Sequence, residues 1–387
     1  MKINKVEIIP VTVPLQQPIR QAFHSRTEGK HVILKLHTDE GHVGIGCGSA
    51  FLAGYSMDNQ ESTMMKLKEL AQTVLLNANP LHTEMILKKV DDALRYSTLT
   101  KAHIDYALYD LKGRILGVPV YDLIGGLARE TMPVEWILTL DSPENMAKSS
   151  TRYLDAGFKS FKVKTGADGK AGLERFAAVR DAVGPGVKLG VDMDGMFNAH
   201  DAIKLIRELD RYDLHFAEQP VSKHDIRGFV EVRRKSPVPI VADESAWSID
   251  ELVALINADA CDMCHLALDR IGGFRKALQF RALLDANHMD YAICSYNGPG
   301  INHAVISHFA ASCSKRGPIV DELGTILMFV GGTDTETIEK QDIVKELNSQ
   351  IINGIAYAPK GPGLGIELDD DLVNRYITKD VCPVIIE

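Results

Sequence analysis

Residues 158–244 contain FKSFKVKTG (158–166), VKLGVDMD (187–194), LHFAEQP (214–220) and VPIVADE (238–244), with a longer amphipathic stretch between each pair. Lys164, Asp192, Glu218 and Asp243 stand at or beside the ends of these runs, 28, 26 and 25 residues apart. A strand, a helix and two loops need about that length, as in a βαβ unit. VEWILTL (134–140) precedes the four runs, and CDMCHLAL (261–268), MDYAICS (289–295) and PIVDEL (318–323) follow them. Eight such units in about 200 residues read as a closed (β/α)8-type, TIM-like barrel. An open doubly wound sheet would be favoured by a glycine-rich phosphate turn after its first strand, and none is present.

The chain before these runs has a different texture. VEIIPVTV (6–13) is extended, and HVILKLHTDEGHVGIG (31–46) is a hairpin pattern with turn chemistry at Asp39-Glu40-Gly41. MMKLKELAQTVLL (64–76) and AHIDYALYDLKGRILG (102–117) repeat apolar residues at helical steps, the second stopping at Gly117 with Pro119 beyond. The expected organisation is an α+β capping domain over 1–126, the barrel over 127–350, and a tail over 351–387 that packs back on cap or barrel.

Composition excludes several classes of partner. The 387 residues are 45% hydrophobic and 25% charged, an ordinary globular balance. Lys+Arg is 43 against Asp+Glu 52, a net charge of −9, which gives no electrostatic reason to bind nucleic acid or an anionic membrane. No apolar run approaches the roughly 18 residues of a membrane span, and the N-terminus lacks the apolar core of a signal peptide. Six scattered cysteines are too sparse for a disulfide framework, so reduced thiols and a cytoplasmic protein are expected.

Asp192, Glu218 and Asp243 are the strongest chemical signal. Barrel strands bring their C-terminal ends to one face, where active sites are built. Three carboxylates there repel one another, and a hard dication relieves the repulsion; oxygen ligands suit Mg²⁺. Lys162 and Lys164 share one face of the preceding strand by its period of two. Each lies near the other and near a dication, so a depressed pKa is expected, fitting one of them as a neutral base. Cys261-x-x-Cys264 straddles the pleat of a predicted strand and reads as core packing, because no second pair completes a zinc site. His265 and Asp269 would share the face of Ala267 if the sixth strand continues that far. Gly272-Gly273 is a phosphate turn or a close helix approach, and Asn297-Gly298-Pro299-Gly300 is a turn by composition.

With these motifs in place, the sequence resembles the mandelate racemase and muconate lactonizing enzyme branch of the enolase superfamily. The resemblance covers nearly the whole chain: ALYDLKGRILGVPVYDLIGG (107–126), FKVKTG (161–166), VDMDG (191–195), AEQPV (217–221), ADES (242–245), Arg270-Ile271-Gly272-Gly273 and GPGLGIELD (361–369). It implies one Mg²⁺ per subunit on Asp192, Glu218 and Asp243, Lys164 as the base for an α-proton, and Lys162 as its neighbour. It implies a small carboxylate substrate and a homo-oligomer. Glu322 in Asp-Glu-Leu (321–323), Asp194, Glu244, His265 and Asn297 are the candidate substrate contacts. Loops over 16–30 and 48–58 are expected to close on the barrel and set specificity.

Three departures bear on the reaction. The lactonizing branch has a second lysine five residues before the Gly-Gly turn, where this chain has Ala267. Mandelate racemases have an Asp there and a His on the seventh strand, and CSYNGPG (294–300) supplies none. Asp194 stands where Asn is usual, and Gly46-Cys47-Gly48 lacks the usual glutamate. Racemisation needs a base on each face. The expected activity is therefore that of a one-base lyase or cycloisomerase, a dehydratase first, forming an enediolate stabilised by the metal. The alternatives are an epimerase with His265 or Asp269 as second base, and a metal-binding barrel without turnover.

Overall fold

The computed structural model describes residues 1–20, 22, 25–48, 58–294, 298–314, 342–346 and 351–387. β1 (Ile3–Arg20), β2 (Ser25–Thr38) and β3 (Val43–Cys47) form an antiparallel meander. Both faces of its first two strands are apolar, because both are covered. Val6, Ile8, Val32, Leu34 and Leu36 pack under α1 (Gln60–Leu70), α2 (Thr83–Ala93) and α3 (Thr98–Leu116). Ile9, Val11, Val13, Ile33 and Cys47 turn the other way, into the core shared with the barrel. This is the alternation of a pleated strand, used twice.

α3 is the spine between the two units and is buried on nearly every side. Its carboxylates hold neighbouring backbone. Asp110 accepts from Ile45 N at 2.8 Å, Leu364 N at 2.7 Å and Arg114 Nε at 2.8 Å, tying sheet, tail and helix together. The sheet comes this close only because β3 carries glycine: a Cβ on Gly46 would lie 2.1 Å from the His103 carbonyl oxygen.

The chain is a (β/α)8-type barrel with an N-terminal α+β cap. After β4 (Thr131–Pro133) come seven parallel barrel strands among the described residues. They are β5 (Trp136–Leu138), β6 (Ser160–Lys164), β7 (Lys188–Asp192), β8 (Phe216–Glu218), β9 (Ile240–Ala242), β10 (Met263–Ala267) and β11 (Asp290–Cys294). Each pairs with its sequence neighbour. The eighth run, PIVDEL, lies outside the described residues. Phe216, Val241, Met263 and Ala292 plug the interior. Gly190 admits the Phe216 ring, which a Cβ would meet at 2.0 Å.

The helices that bear on the site are α4 (Leu268–Ile271) and α5 (Phe274–Ala286), both following β10. The tail returns to the cap. Gly363 O accepts from Val120 N at 2.9 Å, and β12 (Ile351–Ile352), β13 (Ile355–Tyr357) and β14 (Val384–Ile386) end the chain, β14 pairing with β1.

Candidate active site

The register of the barrel brings the predicted acids together. Lys164 pairs with Asp192, and Asp192 with Glu218, at the ends of three adjacent strands. Asp243 follows the last residue of β9. All four side chains, with Lys162, are buried in the mouth. Lys162 Nζ is 2.8 Å from Glu218 Oε2 and 3.9 Å from Asp192 Oδ2. Lys164 Nζ donates to Asp192 Oδ2 and to Asp194 Oδ1, each at 2.5 Å. Asp194 takes a left-handed backbone, φ 49°, and its N–H donates to Asp192 Oδ1 at 3.0 Å.

With no ion on the acids, Lys164 does not have the depressed pKa expected of it beside a dication. Burial alone would lower it, but Asp192 and Asp194 outweigh burial and hold it well above the usual lysine value. Against burial, Lys164 and Lys162 pull Asp192 below the carboxylate range. Asp194 and Glu218 go up, through burial first and then the Asp192 charge. The Lys164–Asp194 contact itself raises the lysine and lowers the acid, but at Asp194 burial and the Asp192 charge outweigh it. Protonated Lys164 is the direction that holds, since one ammonium faces two carboxylates.

Two residues that sequence reading left without a role position the third acid. Gln219, φ 41°, accepts at Oε1 from Asp243 N at 3.0 Å and Ser245 N at 3.2 Å, and its Nε2 donates to Ser245 Oγ at 2.8 Å. Arg270 Nη1 donates to Asp243 Oδ1 at 2.7 Å and Nη2 to the His265 carbonyl at 3.0 Å. Arginine is suited to this because its planar fork satisfies two acceptors at once. Arg270 lowers the Asp243 carboxyl against burial, which acts the other way.

The remaining candidates divide. His265 is buried with Nδ1 3.2 Å from Glu218 Oε1, so it belongs to the acid cluster. Glu244 stands beside Asp243, and burial, with Asp243 next, raises its pKa well above the usual value. Asn297 and Glu322 lie outside the described residues, as does most of the 48–58 loop. β10 ends at Ala267, so Asp269 does not share its face but sits in α4. There it accepts from Tyr106 Oη at 2.7 Å and from Asn302 Nδ2 at 3.0 Å, a packing role between cap and barrel. Cys261 precedes β10 rather than lying on it, and its Sγ is 3.8 Å from that of Cys264. Gly273 is a close approach to the cap: φ is 104°, and a Cβ would meet Asp105 at 2.4 Å.

At the rim, Arg20 O accepts from Leu140 N at 3.0 Å, seating the β1–β2 hairpin tip on the loop after β5. Beside it Arg26, paired with Ile19, has three buried guanidinium nitrogens with no hydrogen-bond partner among the described residues. Burial pulls its pKa down to about 10.

The donor set fits a dication. Five carboxylates (Asp192, Asp194, Glu218, Asp243, Glu244) gather with three cations (Lys162, Lys164, Arg270), an excess of two negative charges when all are ionised. Asp194 Oδ2 and Glu244 Oε2 are buried without a hydrogen-bond donor among the described residues. Oxygen donors at the mouth suit Mg²⁺.

A capped parallel barrel with acids closing its successive middle strands places the chain in the enolase class of folds. Two family profiles match it: "Mandelate racemase / muconate lactonizing enzyme, N-terminal domain" over residues 3–125, and "Enolase C-terminal domain-like" over 145–372. The N-succinyl-L-Arg/Lys racemase of Bacillus cereus is 33% identical over 380 residues, 97% of this chain and 98% of the relative. The cis-3-hydroxy-L-proline dehydratase of Roseibium aggregatum is 29% identical over 389 residues, 98% and 100% of the two chains. The crystal structure of a mandelate racemase/muconate lactonizing family protein from Azoarcus sp. EbN1 superposes with a TM-score of 0.92 at 32% identity, covering 100% of both chains. The chain belongs to the mandelate racemase/muconate lactonizing enzyme branch of the enolase superfamily. Epimerases and chloromuconate cycloisomerases are also among its relatives. No described helix is long and apolar enough to cross a membrane.

Proposed function

We propose that this protein is a Mg²⁺-dependent enzyme that removes the α-proton of a small carboxylate using Lys164 as its single base, and that the reaction is β-elimination or cycloisomerisation, elimination being favoured. The observation that carries this is the contrast between the second and sixth barrel strands, which lie opposite each other. β6 ends on Lys164, and β10 ends on the buried methyl of Ala267.

Asp192, Glu218 and Asp243 are the groups to hold the ion. When bound, Mg²⁺ supplies positive charge that offsets the charge developing on the substrate carboxylate as the proton leaves. Lys164 must be neutral to accept that proton; the Asp192 and Asp194 charges oppose this in the absence of an ion, and a dication held on the acids would offset those charges and act with the Lys162 ammonium to favour loss of the proton. Once protonated, Lys164 has Asp194 to steady its charge. It can then hand the same proton to a departing hydroxyl on the same face, which makes the elimination syn. Arg26 at the rim, half-buried and without a counter-ion among the described residues, suits a second anionic group on the substrate.

A second reading, racemisation of an amino-acid derivative, is favoured by the 33% identity to the B. cereus racemase over 97% of this chain. Incubating acid sugars and N-acylated amino acids with the protein and Mg²⁺ in D₂O separates the two. Deuterium at the α-carbon or elimination, without inversion and absent in Lys164→Ala, supports the one-base enzyme. Efficient inversion supports the racemase, and exchange that survives Lys164→Ala removes Lys164 from the mechanism.

A further inference from the structure

Asp243, His265 and Cys294 converge in the mouth, on the side away from Lys164. One ligand atom from each lies within 4.8 Å of the others. Two of these donors, an imidazole and a thiol, have no part in an all-oxygen magnesium site. Both come from strand interiors or ends, where β10 and β11 hold them by parallel pairing, His265 with Ala292 and Ala267 with Cys294.

We infer that this corner is a mixed-donor site for a borderline dication of the zinc or cobalt kind, bound by Asp243, His265 and Cys294 with Glu218 at its edge. The inference rests on the reading that the mouth carboxylates hold a dication. The separations fit such an ion. His265 Nδ1 is 3.2 Å from Glu218 Oε1 and 3.9 Å from Asp243 Oδ1, and Cys294 Sγ is 4.0 Å from Asp243 Oδ1. Bonds of roughly 2.0–2.1 Å to nitrogen and oxygen and about 2.3 Å to sulfur put neighbouring tetrahedral ligands about 3.3–3.6 Å apart. The Asp243 pairs need to close by about half an ångström, and the His265–Cys294 pair, which lies within 4.8 Å, by at most about 1.2 Å. Thiolate and imidazole select zinc-like ions over magnesium, which keeps to oxygen. Binding releases the Cys294 thiol proton to solvent. Asp243 and Glu218 serve both positions, so a borderline ion at this corner competes with Mg²⁺ for the mouth.

The test uses the full chain, reduced and stripped with EDTA, titrated with Co²⁺ alone. A thiolate-to-cobalt charge-transfer band in the near ultraviolet is expected. It should vanish in Cys294→Ser, with Co²⁺ affinity falling at least about 10-fold, and weaken in His265→Asn. It should persist in Asp192→Asn, and far-ultraviolet circular dichroism reports whether each variant folds. Mg²⁺ binding, followed by calorimetry, should survive Cys294→Ser. A Co²⁺ spectrum without the band, with Mg²⁺ displacing the ion from an all-oxygen site, overturns the inference and leaves the magnesium reading standing. A band that persists in Cys294→Ser comes from another of the six free thiols and also overturns it. Failure of either ion to bind would remove both readings.

Discussion

Replacing Lys164 by methionine removes an ammonium that donates to Asp192 and Asp194 at 2.5 Å each. At an effective dielectric constant of about 20, each contact has a gross attraction of about 7 kcal/mol, much of it offset by burying the charges. Removing one partner of a buried pair costs about 3–5 kcal/mol, because the remaining carboxylates stay buried without compensation. At about 2.1 cal/mol/K of unfolding entropy per residue, 387 residues lose a little over about 1 °C per kcal/mol, so the melting temperature in EDTA should fall by roughly 5 °C. Saturating Mg²⁺ supplies the lost positive charge, so it should stabilise the variant more than the parent. Thermal unfolding of both proteins, in EDTA and in Mg²⁺, measures the four values needed. Equal stability in EDTA, or an equal Mg²⁺ shift in both proteins, would refute the claim that lysine and metal neutralise the same carboxylates.

Ala267→Lys should add α-proton exchange on the second face while slowing the native reaction by crowding, as read by deuterium incorporation at each face. Arg26→Met should raise KM for dicarboxylates by about 10-fold or more at little change in kcat, the cost of one charge-assisted hydrogen bond, and leave monocarboxylates alone. Asp105 accepts from Phe274 N at 2.6 Å and Arg275 N at 3.2 Å, capping α5, while burial raises its pKa to about 7. The folded state therefore holds its proton more tightly than the unfolded chain. This group's contribution falls as pH rises from about 4 to about 7 and stays lost above that. Asp105→Asn keeps an acceptor and removes the charge, so denaturation should find it near neutral at about pH 5 and stabilising at about pH 8; a variant weaker at both would contradict the assignment.

The barrel and its acids were legible because strand ends impose a period. Lys164, Asp192, Glu218 and Asp243 each fall where a strand of fixed rise meets the mouth, and hydrophobic runs mark those strands. What escaped was set by contacts between distant segments. Gln219 looks like any polar loop residue until its amide is seen spanning β8 and the loop after β9. Asp269 was misplaced because LALDRIGG (266–273) stays apolar enough to extend a strand on paper, whereas α4 begins at Leu268. The second carboxylate at Lys164 escaped because the left-handed turn at Asp194 brings it to the ammonium. No local pattern shows that geometry. Gly-Gly at 272–273 carried the right clue, a close approach, but not its partner, Asp105 of the cap.

The central claim is that Asp192, Glu218 and Asp243 hold a dication beside Lys164. A crystal grown with Mg²⁺ tests it most directly. The account predicts one ion bonded to all three carboxylates at about 2.1 Å, with Lys164 Nζ outside its coordination sphere and facing open space above Ala267. Three side chains pointing apart, or an ion held elsewhere in the mouth without Asp192, would contradict it.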